Sequence, residues 1–373
     1  MSYEYLVDIF TSADETIDQT RQTARYYAQK TDGQKEAETI REEWAEQHLK
    51  QRRLESPSWE FWGWMAAPTV DLTVLPDYTL FIQFRFRLAG AYLSKDERAF
   101  FLIDNPLRRD KLSQLPYVTP TSWKGSLRAA LHQLQYNAVH PAVQRLLGNA
   151  KGETEDFAAG RLQFYPSFFT EQGVEIINPH DRERKVGKNP ILMESVPAGA
   201  ESVFSLLYFP LVQWKHQDAE VFLAAIAEDW EVLAQGLPAL FCTYGFGAKT
   251  SSGHGLAQEK FATDKRKKRD RQSAGSMVAK FSPVREPLAV RQFEEDFGAL
   301  DDWSATEWQE LLEPTDFARY QAAIAAREQQ AIIKAAGKVE SEPETFADLQ
   351  QTLSDWAAEI RGLAAAKKGG RHD

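Results

Sequence analysis

The sequence predicts an α+β fold, and three observations carry that reading. Leu80, Ile82, Phe84, Phe86 and Leu88 alternate with Phe81, Gln83, Arg85 and Arg87, the two-residue period of a strand with one buried face. Ser122 to Tyr136 and Asp218 to Leu233 instead carry apolar residues at helical spacing, the first through Trp123, Leu127, Leu131 and Leu134. Arg161 to Phe169 and Ser202 to Leu211 read as further strands. Taken together, residues 76–262 follow a strand–helix–strand, strand–helix–strand order. That is the order of a ferredoxin-like unit, a sheet with helices on one face.

The flanks read differently. Residues 1–75 form an extension in which 14–55 looks helical, with Trp44 and Leu49 giving only a thin apolar stripe. It ends in PSWEFWGWMAAP, where Trp59, Phe61, Trp62 and Trp64 stand between two prolines. Such aromatics latch onto the protein's own core, meet a partner, or stack bases. Residues 263–289 contain the basic run DKRKKRDRQSAG, which suits a solvated linker or an arm along RNA. Residues 290–366 read as an acidic helical unit. Ser304 and Glu307 make a capping box there, and Phe346, Leu349, Leu353, Trp356, Ile360 and Leu363 make an apolar stripe. Residues 367–373 read as a disordered tail.

Composition excludes some classes. The single cysteine, Cys242, allows neither an internal disulfide nor a cysteine zinc site, and suits a reducing cytoplasm. The first residues lack the basic start and apolar run of a signal peptide, and no apolar run is long enough to span a membrane. The net charge of -10 is unevenly spread. Counting Lys and Arg against Asp and Glu, residues 1–75 carry -6, residues 76–289 carry +4 and residues 290–373 carry -8. Local cations govern phosphate contact, because salt screens distant acids beyond about 8 Å.

The basic middle holds two phosphate-friendly clusters. In FLIDNPLRRDKLSQLPYVTPTSWKGSLRAAL, Asp104, Arg108, Arg109 and Asp110 precede a proline-bearing turn. The turn opens a helix that carries Lys124, Gly125 and Arg128 early, and a helix start is a ready anion site. Downstream, TYGFGAKTSSGHG brings Gly245, Gly247, Lys249, Thr250, Ser251, Gly253, His254 and Gly255. Two separated clusters point to an extended anionic polymer more than to one small ligand. The second is not a nucleotide-binding P-loop, since Ala248 parts Gly247 from Lys249 and the preceding stretch reads as helical. Between them, NPHDRERKVGK sets His180 among Arg182, Arg184 and Lys185 on a loop that can lie over RNA. No histidine pair has the helical spacing of a zinc site.

In these motifs the chain resembles the RAMP superfamily, the backbone subunits of CRISPR type III effector complexes. The shared elements are IDNPLRRD followed by LPYVTPTSWKGSLRAAL, then LLGNAKG before AGRLQFYPSFF, MESVPAGAESVFSLL, and GFGAKTSSGHG, in the family's order from about Thr79 to Gly255. The turn into the helix departs from the family pattern by lacking a glycine. The resemblance implies an RNA-recognition-like ferredoxin core and a subunit that grips guide RNA beside other subunits of such a complex, away from any membrane. It also implies that Asp104 cleaves target RNA paired to the guide, using a divalent cation, Mg or Mn. Two alternatives stay open: a purely structural subunit, in which Asp104 only starts a turn, and a guide-processing endoribonuclease acting alone through His180 and Lys185.

Overall fold

A computed structural model describes residues 39–40, 43, 52–53, 67–70, 75–76, 78–96, 105–111, 113–148, 159–177, 191–210, 219–262, 278–281, 288–334 and 340–369. Trp59 to Trp64 and the basic run 264–275 lie outside them. In chain order the elements are β1 (Arg52–Arg53), β2 (Leu80–Arg87), β3 (Tyr117–Val118), α1 (Pro120–Gln133), α2 (Pro141–Leu147), β4 (Leu162–Phe164), β5 (Ser167–Phe168), β6 (Glu171–Ile177), β7 (Ile191–Ser195) and β8 (Glu201–Tyr208). Next come α3 (Ala219–Pro238), β9 (Val278–Phe281), α4 (Leu288–Phe297), α5 (Ala305–Leu311), α6 (Pro314–Lys334), β10 (Glu340–Ser341) and α7 (Phe346–Gly369).

The main sheet has the order β10-β9-β2-β8-β4, every pair antiparallel. Its centre is β2, which pairs along its whole length with β8, from Leu80 opposite Tyr208 to Arg87 opposite Glu201. The alternation read from sequence sets the faces. Leu80, Ile82, Phe84, Phe86 and Leu88 are buried. The ring of Phe84 lies 4.6 to 5.2 Å from those of Phe204, Phe241, Phe261 and Phe346. Aromatic pairs at these spacings add to plain area burial. On the opposite face, Phe81 and Leu207 are covered by Val70, Leu75 and Tyr165, and Gln83 Nε2 donates to the Pro68 carbonyl at 2.9 Å. A second sheet, β1-β6-β7, and the pair β3-β5 complete the strands.

Several expectations shift. Residues 14–55 read as helical, yet Arg52 and Arg53 form β1 against Gln172 and Glu171 of β6; cross-strand partners outweigh helix propensity over so short a stretch. Arg161 to Phe169 is not one strand. Tyr165 and Pro166 part β4, in the main sheet, from β5, which pairs with β3. Proline has no N–H for a ladder, so the chain changes sheets there. α3 does not end before Gly236; it runs through Pro238 and widens into a π-helical turn, Ala239–Tyr244. A Cβ on Gly236 would sit 2.8 Å from Leu131 Cδ2, so this glycine lets α3 cross α1 closely.

The acidic helical stretch also divides. α4, α5 and α6 share a small core of Val290, Phe293, Leu300, Trp308, Tyr320 and Ala323. The capping box at the start of α5 is present, with Ser304 and Glu307 each satisfying the other's backbone. α7 instead joins the main core through Phe346, Leu349, Leu353, Trp356 and Ile360, with Trp356 and Trp230 of α3 6.2 Å apart. It carries on to Gly369, three residues into the stretch read as a tail.

One ionic network ties α2 and α3 to the sheet. The Asp229 carboxylate, fully buried on α3, accepts from Arg145 Nε at 2.8 Å, from an Arg161 guanidinium nitrogen at 2.6 Å and from the Tyr208 hydroxyl at 2.9 Å. Burial pushes its pKa above the ordinary aspartate value, with both guanidiniums pulling the other way. Among the described residues, no helix is long and apolar enough to cross a membrane.

Candidate nucleic-acid interface

The first cluster is built by the start of α1. Pro120 occupies the first helical turn, where its missing N–H costs nothing. Thr119 caps the helix, its hydroxyl accepting from the Ser122 N–H at 3.1 Å. Trp123, Leu127, Ala130 and Leu131 turn inward. The outer side therefore presents Gly125 and Arg128, both exposed, and Lys124, partly buried. Partial burial, then the nearby Arg128, lowers the Lys124 pKa from the usual lysine value. A Cβ on Gly125 would meet nothing within 4 Å. Glycine inside a helix costs up to about 1 kcal/mol against alanine, and no packing among the described residues requires it here.

The second cluster follows α3 directly. The π-helical turn ends at Gly245, and the loop beyond is fastened to residues 89–93. Ala89 N donates to Leu256 O at 2.8 Å, Gly255 N to Ala91 O at 2.9 Å, and Ala248 N to Leu93 O at 2.8 Å. Gly255 has φ +70°, and a Cβ there would fall 1.9 Å from the Phe246 carbonyl oxygen, so only glycine fits. Lys249 takes the left-handed conformation with φ +58°, which presents its side chain at an exposed corner. Ser251 and Gly253 are also exposed, Thr250 and His254 are partly buried, and His254 Nδ1 has no hydrogen-bond partner among the described residues. Gly247 is exposed, whereas Gly245 is buried. The two clusters meet through a shared seam: the Phe246 ring lies 4.6 Å from that of Trp123 on α1.

A third stretch, residues 105–111, lies alongside. Asn105 O accepts from Glu194 N at 3.1 Å, and Leu107 N donates to the Glu194 carboxylate at 2.8 Å. The same carboxylate lies 3.1 Å from an Arg109 guanidinium nitrogen, which also donates to Gln172 Oε1 at 2.8 Å. Arg109 is thus turned inward, where the buried Glu194 answers its charge. Arg108, next to it, is exposed, and its N–H donates to Ser94 Oγ at 2.9 Å. The Asp110 carboxylate is occupied by a turn, accepting from both the N–H and the hydroxyl of Ser113 at 3.0 Å. Asp104, His180, Arg182, Arg184 and Lys185 lie outside the described residues. Their described flanks are neighbours: Asn105 bridges to Met193 on β7, and Ile177 and Ile191 form the last pair of the β6–β7 hairpin.

Sequence reasoning missed Glu194, the anchor of residues 105–109. Its signal was available: a lone acid inside the run ILMESV must find a cation or an N–H if that strand is buried.

Comparisons agree with the motifs. A family model described as the RAMP superfamily matches residues 85–258. The CRISPR system Cms endoribonuclease Csm3 of Mycobacterium tuberculosis strain H37Rv is 29% identical over 205 residues, covering 48% of this chain and 84% of that protein. A cryo-EM structure of the type III-B Cmr-beta complex bound to cognate target RNA contains a similar chain, with TM-score 0.36 and 14% identity. That match covers 48% of this chain and 58% of the other. A chain of the Csm3-Csm4 subcomplex from the type III-A interference complex gives TM-score 0.32 and 12% identity, covering 75% and 96%. One in a CRISPR RNA-guided surveillance complex gives 0.36 and 13%, covering 78% and 99%. Through residues 85–258, which carry the start of α1, the anchored stretch 105–111 and the glycine loop, the chain is similar to the RAMP superfamily.

Proposed function

We propose that this chain is a backbone subunit of a CRISPR type III effector complex, gripping guide RNA along the surface made by α1, the glycine loop and residues 105–111. The observation that carries the reading is Gly125. It weakens its own helix, no neighbour fills the space beside it, and Lys124 and Arg128 flank it. A phosphate backbone in close approach explains all three residues. The 29% identity to a Csm3 endoribonuclease supports the same reading. A ferredoxin-like core is supported by the order β9-β2-β8-β4 within the main sheet, with α1 and α3 in the two crossovers.

In this reading Asp104 cleaves target RNA paired to the guide. The carboxylate accepts the proton of a 2′-hydroxyl as that oxygen attacks the adjacent phosphorus. The bond to the 5′-oxygen breaks, and the leaving oxygen takes up a proton. Arg108 is placed to offset phosphate charge nearby. Among the described residues, no three His, Cys, Asp or Glu side chains gather as a metal site.

The test is single-turnover cleavage of complementary RNA by the assembled complex, with Mg, with Mn and with chelator. Asp104→Ala should slow one cut by ~10²–10⁴-fold while guide and target stay bound. Cutting at the wild-type rate would make Asp104 a turn residue and the chain a structural subunit. Cleavage of repeat RNA by the isolated chain, lost in His180→Ala, would instead favour guide processing.

A further inference from the structure

We infer that Lys95 is a phosphate contact, the link that joins Arg108 and Lys249 into one cationic line along the RNA backbone. The inference deepens the guide-RNA reading and rests on it. Residues 91–96 run between the two cation-bearing stretches and are bonded to both. On one side Leu93 O accepts from Ala248 N at 2.8 Å, beside Lys249. On the other, Ser94 Oγ accepts from Arg108 N at 2.9 Å, and Asp96 N donates to Pro106 O at 3.0 Å. Lys95 therefore directly follows the residues bonded to both stretches, and Lys95, Arg108 and Lys249 are all exposed.

The foundation under this line is rigid. Tyr92 and Leu93 are buried, the Tyr92 ring lies 5.5 Å from Phe246 and 5.6 Å from Phe169, and Tyr92 N and O both pair with Val196. A lysine on a fixed backbone loses less freedom on meeting a ligand than one on a loose loop. Lys95, Arg108 and Lys249 form no ion pair with any described acid, so none of the described acids competes with a phosphate for them. The neighbouring Asp96 is itself partnered. Cations on three segments, held by backbone bonds at successive points, match the repeating charge of a single-stranded phosphodiester rather than one isolated anion.

The experiment measures binding of a fluorescein-labelled single-stranded RNA of mixed sequence to the full-length chain across a salt series. The variants are Lys95→Ala, Lys95→Arg, Lys95→Glu, Lys249→Ala, and Lys260→Ala as an exposed control away from the line. Loss of one contact on a single strand lowers the log–log salt slope by about 0.7. The advantage of wild type over Lys95→Ala should therefore shrink about fivefold for each tenfold rise in salt. Lys95→Arg should restore the slope, Lys95→Glu should weaken binding further, and Lys260→Ala should match wild type. If Lys249→Ala lowers the slope but Lys95→Ala does not, the assignment of Lys95 is wrong and the RNA reading stands. If wild type binds no RNA at any salt, both are wrong. Thermal melts that match wild type ensure that folding does not produce the effect.

Discussion

Two charge clusters in this molecule are built on opposite terms. Around Asp229 every charge is answered: Arg145 and Arg161 share its two oxygens, Tyr208 adds a hydroxyl, and Glu228 takes the other arm of Arg145. Along Arg108, Lys124, Arg128 and Lys249 no described acid lies within ion-pair distance of any cation. Burial explains the difference. A charge taken out of water must be matched, or the desolvation cost stands against folding. An exposed cation tolerates solitude, and solitude leaves it available to an external anion. Arg109 sharpens the contrast, since it sits one residue from Arg108 and belongs to the inward kind, paired with Glu194. Adjacent arginines in one motif are therefore held in different ways.

The largest effect should come from breaking the answered cluster. Asp229→Ala strands the Arg161 guanidinium, leaves Arg145 only Glu228, and should cost about 3–5 kcal/mol, read by chemical denaturation of the full chain. RNA affinity of the folded fraction should be unchanged. A loss below about 1 kcal/mol would mean the network is ornamental. Gly255→Ala should be next, at about 1–3 kcal/mol, because a Cβ would strike the Phe246 carbonyl in a left-handed backbone. Unlike Asp229→Ala, it should weaken RNA binding too, since the glycine loop presents Lys249. The smallest stability effect should come from Lys249→Ala and Lys124→Ala, each within about 0.5 kcal/mol of wild type. Each should nonetheless remove about 0.7 from the salt slope for single-stranded RNA. If either unfolds the chain instead, the contrast between answered and free charge fails.

Much of this was legible in the sequence. β2, β8, α1, α3 and the α5 capping box follow from local patterns, because periodicity and capping act within a few residues. The start of α1 and the glycine loop after α3 were legible for the same reason. What local pattern did not reveal was partnership at a distance. Nothing near Pro166 says that β5 will pair with β3, or that Gly236 stands at a helix crossing and not at a helix end. Arg109 and Arg108 look alike until Glu194 of β7, far along the chain, selects one of them. Lys95 is ordinary in its own neighbourhood, and only the hydrogen bonds of Leu93 to Ala248 and of Ser94 to Arg108 give it company.

The pairing of β2 with β8 sets a schedule for synthesis. Ile82 lies opposite Leu206, 124 residues later in the chain. At ~5–20 residues added per second, β2 waits roughly 6–25 s for its central neighbour. The partner on its other side, β9, arrives later still, with Phe281 opposite Leu80. During that interval a strand bearing Leu80, Phe81, Ile82, Phe84 and Phe86 is complete but has neither neighbour of its sheet. An apolar strand with open edges is the form most prone to pair with another chain. Arg85 and Arg87, on the face away from the helices, are the only charges within β2 that oppose such pairing. The time spent unpaired is therefore a hazard written into the order of strands, and slower translation between β2 and β8 should lower the yield of folded chain.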